Sequence, residues 1–282
     1  MLPRLTWQCI IVAMNREYTE CHGVTIRKKE YMGDRHLTKV ILDTDAESIE
    51  DWAFANCTAL REIWLPAGIR HVSEKAFLNC DPLEKIYICC CRDGKIIPAD
   101  NSTDPVLLAL MLKCRPKETD ALIRTAGEEQ AFLQIPDDLL PDFLSEDDST
   151  GFVPFLAGGE EDYLTEDAAA AHCHKRQLLK TRLIYERILA EQRGHLISPE
   201  LKSSCIDWLQ AHNPAAAFGL LLTKPCHSEA YFDLYFNLGL NKDVKIETLT
   251  SLAEDQPELK AKVLQKHLEC GTGSGVFAGL AL

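Results

Sequence analysis

Over the first third of the chain, apolar residues recur at a period longer than any single helix or strand. Shifted by 23 residues, Ile49-x-x-x-Ala53-Phe54-x-Asn56-Cys57-x-x-Leu60-x-x-Ile63-x-Leu65 falls on Val72-x-x-x-Ala76-Phe77-x-Asn79-Cys80-x-x-Leu83-x-x-Ile86-x-Ile88. A second shift finds a worn copy in Ile26, Tyr31 at the phenylalanine position, and Leu37-x-x-Val40-x-Leu42. Units of roughly 20 to 45 residues stack into solenoids, each burying its apolar side on the next. Around Ile63 the alternation is that of a short strand, so Ile63 and Leu65 face inward while Glu62 and Trp64 face outward. Ala53 and Ala76 are small where the chain turns close to its neighbour, and Phe54 and Phe77 fill the wedge. Cys57 and Cys80 read as small buried hydrophobes.

The pattern over 24–91 resembles the BspA-type leucine-rich repeat, I-x-x-x-A-F-x-x-C-x-x-L-x-x-I-x-[IL]-P-x-x-[IV]. Leu65-Pro66-Ala67-Gly68-Ile69 supplies its link between rungs. The resemblance implies a curved solenoid with one strand per rung, used as a protein-binding surface, and it admits a secreted or cell-surface location. About 2.5 rungs of 23 residues are expected, fewer than the roughly three a stack needs to support itself. The open end after Ile88 therefore needs a cap, and the helix beginning at Asp104 is the nearest candidate.

Two rows stand on the outward strand positions. Ile41, Trp64 and Tyr87 contribute one residue per rung at roughly 4.8 Å spacing. Two positions earlier stand Lys39, Glu62 and Lys85, a charge ladder worth about a few tenths of a kcal/mol per exposed pair. An aromatic row on a face turned to water has two readings. Trp and Tyr are frequent interface anchors, so these six residues are the candidate partner-binding set, for another protein or a second copy. Alternatively, the chain's own helical part or N-terminal arm covers the row.

From Asp104 the period changes to 3.6. Asp104-Pro105 caps an apolar helix through Leu112, and Lys117 to Phe132 reads as another. Pro136, Pro141, Gly151, Pro154, Gly158 and Gly159 then interrupt the pattern, as a linker or surface loop would. A long helix is expected from about Glu166 to Gln192, N-capped by Thr165. Leu178, Tyr185 and Leu189 share one of its stripes, with Lys175, Arg176, Lys180, Arg182 and Arg187 largely elsewhere. Ser198-Pro199-Glu200 opens a shorter helix with an N-cap, a proline at N1 and an acid in the first turn. Asn213-Pro214, Ser228, Val244 and Pro257 start others, joined by tight turns that favour antiparallel pairs. The stretch from Tyr235 to Ala253 resembles the ankyrin-like helical tails of some bacterial BspA-type proteins.

The expected organisation is an N-terminal arm (1–18), leucine-rich repeats (19–100), capping helices (101–135), an acidic linker or loop (136–164), an α-helical repeat domain (165–270) and a disordered tail (271–282). The fold class is α+β, a short leucine-rich-repeat solenoid followed by an all-α helical-repeat domain.

Charge changes this picture in one place. The chain of 282 residues holds 30 Lys+Arg against 43 Asp+Glu, a net charge of -13. That balance argues against nucleic acid as the main partner. From Ala131 to His174 there is no Lys or Arg, while Asp137, Asp138, Asp142, Glu146, Asp147, Asp148, Glu160, Glu161, Asp162, Glu166 and Asp167 are all acidic. The stretch reads as a solvated loop, or as one lying against the basic side of the helix from Lys175 to Arg187. No apolar run approaches the roughly 18 residues of a membrane span. The first 14 residues lack the continuous apolar core and cleavage site of a signal peptide.

Candidate chemistry is sparse. Twelve cysteines contain no CxxC pair, and the run Cys89-Cys90-Cys91 cannot turn three neighbours onto one metal. His172 and His174 are two residues apart in a helix and point about 200° away from each other, so they cannot chelate one ion. Glu160-Glu161-Asp162 with Glu166 and Asp167 lacks the ligand alternation and central glycine of an EF-hand. Gly271-Thr272-Gly273-Ser274-Gly275 has neither the strand nor the lysine of a phosphate loop. The expectation is a non-enzymatic protein-interaction module, without cofactor or metal, in the cytoplasm. Its alternatives are a cell-surface or secreted adhesion protein and a cysteine- or carboxylate-based enzyme in the helical domain. The enzyme would need Cys, His and Asp converging in a pocket.

Overall fold

The computed structural model describes residues 19–92, 95–99, 104–126, 129–149, 166–192, 194–212, 214–222 and 229–271. The expected arm 1–18, the acidic stretch 150–165 with Thr165, and 272–282 of the tail lie outside them. The chain divides into two compact units, Met1–Phe132 and Leu133–Leu282, and each is described by itself.

In the first unit, strands β1 (Thr19–Cys21), β3 (Lys39–Leu42), β5 (Glu62–Pro66) and β7 (Lys85–Arg92) are parallel neighbours. A second, smaller sheet joins β2 (Thr25–Ile26), β4 (Ser48–Ile49) and β6 (His71–Val72) in the same order. Lys39 stands opposite Glu62 and Glu62 opposite Lys85, so the 23-residue period is the register of the sheet. Strand β1 extends the stack beyond the two and a half expected rungs. It escapes the 23-residue shift because Cys21 pairs with Leu42 at a spacing of 21 while Ile26 pairs with Ile49 at 23. The corner between β1 and β2 is thus two residues shorter than the later ones.

The repeat residues do what their types require. Val40, Leu42, Ile63, Leu65, Ile86 and Ile88 are buried, as are Ala53 and Ala76. Tyr31, Phe54 and Phe77 stack at ring spacings of 5.3 and 5.7 Å. The cysteines are more than small hydrophobes: Cys57 Sγ donates to the Tyr31 carbonyl at 3.1 Å and Cys80 Sγ to that of Phe54 at 3.0 Å, tying each rung to the one before. Gly33, Asn56 and Asn79, again 23 apart, are left-handed at φ 77°, 60° and 59°. Only glycine and asparagine enter that region at low cost. Asn79 Nδ2 also donates to Asn56 Oδ1 at 2.9 Å.

Strand β8 (Lys95–Pro98) pairs antiparallel with Cys89–Arg92. Beyond it α1 (Pro105–Cys114), capped by Asp104 accepting from Val106 N and Leu107 N, packs on β7 with Leu107 to Leu112 all buried. The expected helix over 117–132 is divided. Pro116–Glu118 is a 3-10 turn and α2 spans Thr119–Thr125. Asp120 of α2 reaches the edge of the small sheet, where Oδ1 accepts Val72 N at 2.7 Å and Oδ2 lies 2.9 Å from His71 Nδ1. The last parallel strand of each sheet, β7 and β6, thereby finds a partner.

Helix α3 (Glu129–Ser145) runs through Pro136 and Pro141, so 136–145 is helix and not the loop expected there. Proline cannot donate within a helix; what holds this one is tertiary. Leu140, Phe143 and Leu144 are buried, and Asp137 grips α4 (Glu166–Gln192). Lys180 and Arg187 of α4, placed by sequence away from the apolar stripe, are each 1% exposed. Arg187 Nε and Nη2 hold Asp137 Oδ1 and Oδ2 at 2.6 and 2.8 Å, and its remaining donors reach the carbonyls of His195 and Leu196. Lys180 Nζ meets the Glu146 carbonyl at 2.6 Å and Asp148 Oδ1 at 2.8 Å. Arg176 pairs with Glu146, and Gln177 with Asp148. Asp137, Glu146 and Asp148 of the acidic stretch are therefore not simply solvated.

Around α4 pack α5 (Pro199–Ala211), α6 (Pro214–Leu222) and α7 (Glu229–Asn237), while α8 (Ile246–Leu252) and α9 (Pro257–Gly271) pack on each other. Packing is thus not confined to sequence neighbours. Ser198 caps α5 as expected, accepting Leu201 N at 3.2 Å. Gly239, at φ 68°, closes α7 with a bond from Leu240 N back to the Tyr235 carbonyl.

Candidate functional site

All six outward residues fall on one face of the large sheet and all are half-buried. Register sets Lys39, Glu62 and Lys85 in one row, and Ile41, Trp64 and Tyr87 in the next. Lys39 Nζ lies 2.7 Å from Glu62 Oε1, and the same oxygen accepts Trp64 Nε1 at 2.5 Å. The Lys39 ammonium also lies 4.9 Å from the indole centroid, and Tyr87 packs 4.6 Å from that ring at an interplanar angle of 32°. The indole is fixed by three neighbours before any partner arrives. Its N–H is already used, so what it offers outward is apolar.

Glu62 is the electrostatic centre of the face. Burial pushes its pKa up, but hydrogen bonds from Lys39 and Trp64 and the charges of Lys39 and Lys85 outweigh that and hold it below its ordinary value. Lys85 has no ion-pair partner among the described residues.

The sequence reading missed a second aromatic on this unit. Trp52, left-handed at φ 58°, has the ammonium groups of Lys28, Lys29 and Lys75 at 4.9, 5.3 and 5.7 Å from its ring. The signal was available, since Lys29, Trp52 and Lys75 stand 23 apart. Elsewhere, Cys89 is buried, Cys90 half-buried and Cys91 exposed, so exposure rises towards the end of β7. On α4, His172 and Cys173 are half-buried and His174 is exposed. Among the described residues no three His, Cys, Asp or Glu side chains gather as a metal site would need.

The parallel register, the buried alanine, phenylalanine and cysteine columns, and the match of residues 24–93 to the family described as BspA type leucine rich repeat region (6 copies) agree. Residues 24–93 form a BspA-type leucine-rich repeat region. No curated protein and no solved structure matches the chain. The family match ends at residue 93, so the helical region carries no family assignment. Within the BspA-type region the consensus fixes the inward positions and leaves the outward ones open, and it is on those that Ile41, Trp64 and Tyr87 stand.

Proposed function

We propose that this chain is a protein-interaction module that docks a protein partner on the strand face of its BspA-type repeats. The residues proposed to carry it are Ile41, Trp64 and Tyr87, with Lys39, Glu62 and Lys85 beside them. The supporting observation is the indole of Trp64, held between Lys39 and Tyr87 with its N–H spent on Glu62. A side chain immobilised in advance loses little entropy on binding, and aromatic anchors of this kind carry much of an interface's energy. Repeat regions of this family are generally non-enzymatic, and the reading assigns the face no chemistry. Among the described residues no helix is long and apolar enough to cross a membrane. A cytoplasmic location is part of the proposal; oxidised cysteines or a processed N-terminus in the native protein would favour the adhesion reading instead.

A photo-crosslinking residue placed at Ile41 in the full chain, in its native cells, tests the reading. A protein captured through position 41 but not through exposed Leu78, and lost with Trp64→Glu in a variant that keeps its circular dichroism, is the expected result. Capture indifferent to Trp64 would overturn it. Light-scattering mass of both proteins tells whether the partner is a second copy.

A further inference from the structure

We infer that the occupant of this face is an acidic segment, one that seats an apolar or aromatic side chain on Trp64 and Tyr87 and brings an Asp or Glu carboxylate to Lys85. The inference rests on the docking reading and adds the chemistry of the partner. Its basis is the charge count along one register row. Lys39, Glu62 and Lys85 are two ammonium groups and one carboxylate, and the carboxylate is committed twice over on a single oxygen, to Lys39 and to the indole N–H. The next outward pair, Arg61 and Glu84, is closed on itself at 3.1 Å. The row thus carries one positive charge in excess, and Lys85, one rung along from Glu62 and two residues before Tyr87, is the ammonium that closes no ion pair among the described residues.

The acidic excess of the chain lies between 131 and 174, and outside that stretch basic and acidic residues nearly balance, so the sign of this row is set locally by its two lysines and one carboxylate. At about 0.15 M salt the Debye length is about 8 Å, so a contact made directly at Lys85 is screened far less than any charge beyond that range. A basic segment would meet two lysines on this row against one carboxylate, one of whose oxygens already serves Lys39 and the indole. An acidic one meets Lys85 directly, and the neighbouring aromatic pair supplies the apolar contact that a lone surface ion pair lacks.

The test is selection of random twelve-residue peptides displayed on phage against the full chain, with Trp64→Ala and Lys85→Glu as parallel baits. Peptides that need Trp64, are enriched in Asp and Glu beside an apolar residue, and bind Lys85→Glu about tenfold more weakly are expected, with Lys85→Gln intermediate at about threefold. Peptides that need Trp64 but show no acidic bias, or are indifferent at Lys85, would overturn the inference and leave the docking reading standing. Absence of any peptide that needs Trp64 would remove the docking reading and this one with it. Lys85 is partly exposed and unpaired, and Lys85→Gln keeps its aliphatic stem, so a folding defect in the charge-reversed bait leaves the test readable.

Discussion

One oxygen of Glu62 accepts from both Lys39 and Trp64, so the charge of a single carboxylate decides how an aromatic ring is held. The folded state keeps this carboxylate below its ordinary value of 4.5. A group lowered in this way stabilises the fold above its unfolded pKa, and that contribution is lost as pH falls through the folded value. Glu62→Gln should therefore cost about 1 kcal/mol or less at neutral pH, and its urea-denaturation curve should converge on that of the wild type as pH falls from 4.5 through the lower folded value. A constant gap across that range would show that the carboxylate charge is not what holds Trp64. Backbone conformation makes a sharper demand at Asn79, left-handed at φ 59°. Asn79→Ala should destabilise by about 1–2 kcal/mol and Asn79→Gly by far less, because only the first puts a Cβ against the following carbonyl without a side-chain bond to offset it. Equal losses would assign the effect to the Asn56 hydrogen bond instead.

At the scale of the element, capping matters most. Asp120 satisfies the edge N–H of Val72 from a helix 48 residues further along the chain. Asp120→Ala leaves that donor to water or to nothing, and about 1–2 kcal/mol should be lost from the first unit by denaturant titration. In the second unit, Arg187 is 1% exposed and bidentate to Asp137. Arg187→Met should cost about 3–5 kcal/mol because it strands a carboxylate, whereas Arg176→Met at the more exposed Glu146 pair should cost about 1 kcal/mol or less. Raising salt should shrink the second loss and leave the first nearly unchanged. These elements were legible to different degrees. The repeat strands could be read because burial recurs every 23 residues, and Ser198 because its cap is local. Helix α3 could not, since Pro136 and Pro141 argue against a helix and only contact with α4 overrides them. Lys180 and Arg187 could not either: a charged residue is read as exposed until the carboxylate that permits its burial is known to lie opposite.

Over the whole molecule, the outward row Ile41, Trp64 and Tyr87 was legible because a period fixes which positions share a face, while the link from Lys39 through Glu62 to Trp64 depends on rotamers that no period carries. β1 was hidden by a two-residue change in a single corner. The two units can be compared without reference to each other, because each carries its own buried thiol. Cys80 is 3% exposed in the first and Cys205 0% in the second, whereas Cys91 is exposed. Burial also pushes the Cys205 thiol up to about 12, so it reacts only when its surroundings open. Timed alkylation of the native chain, read by peptide mass, should modify Cys91 at once and Cys80 and Cys205 only at the rate their units unfold. Asp120→Ala should then speed Cys80 about tenfold, and Arg187→Met should speed Cys205 at least about a hundredfold, following the losses argued above. Labelling of Cys80 as fast as Cys91 in the wild type would mean that the rungs do not stack tightly enough to shield a thiol tying one to the next. A strand face built on them could then not hold Trp64 still, and the proposed docking surface would lose its physical basis.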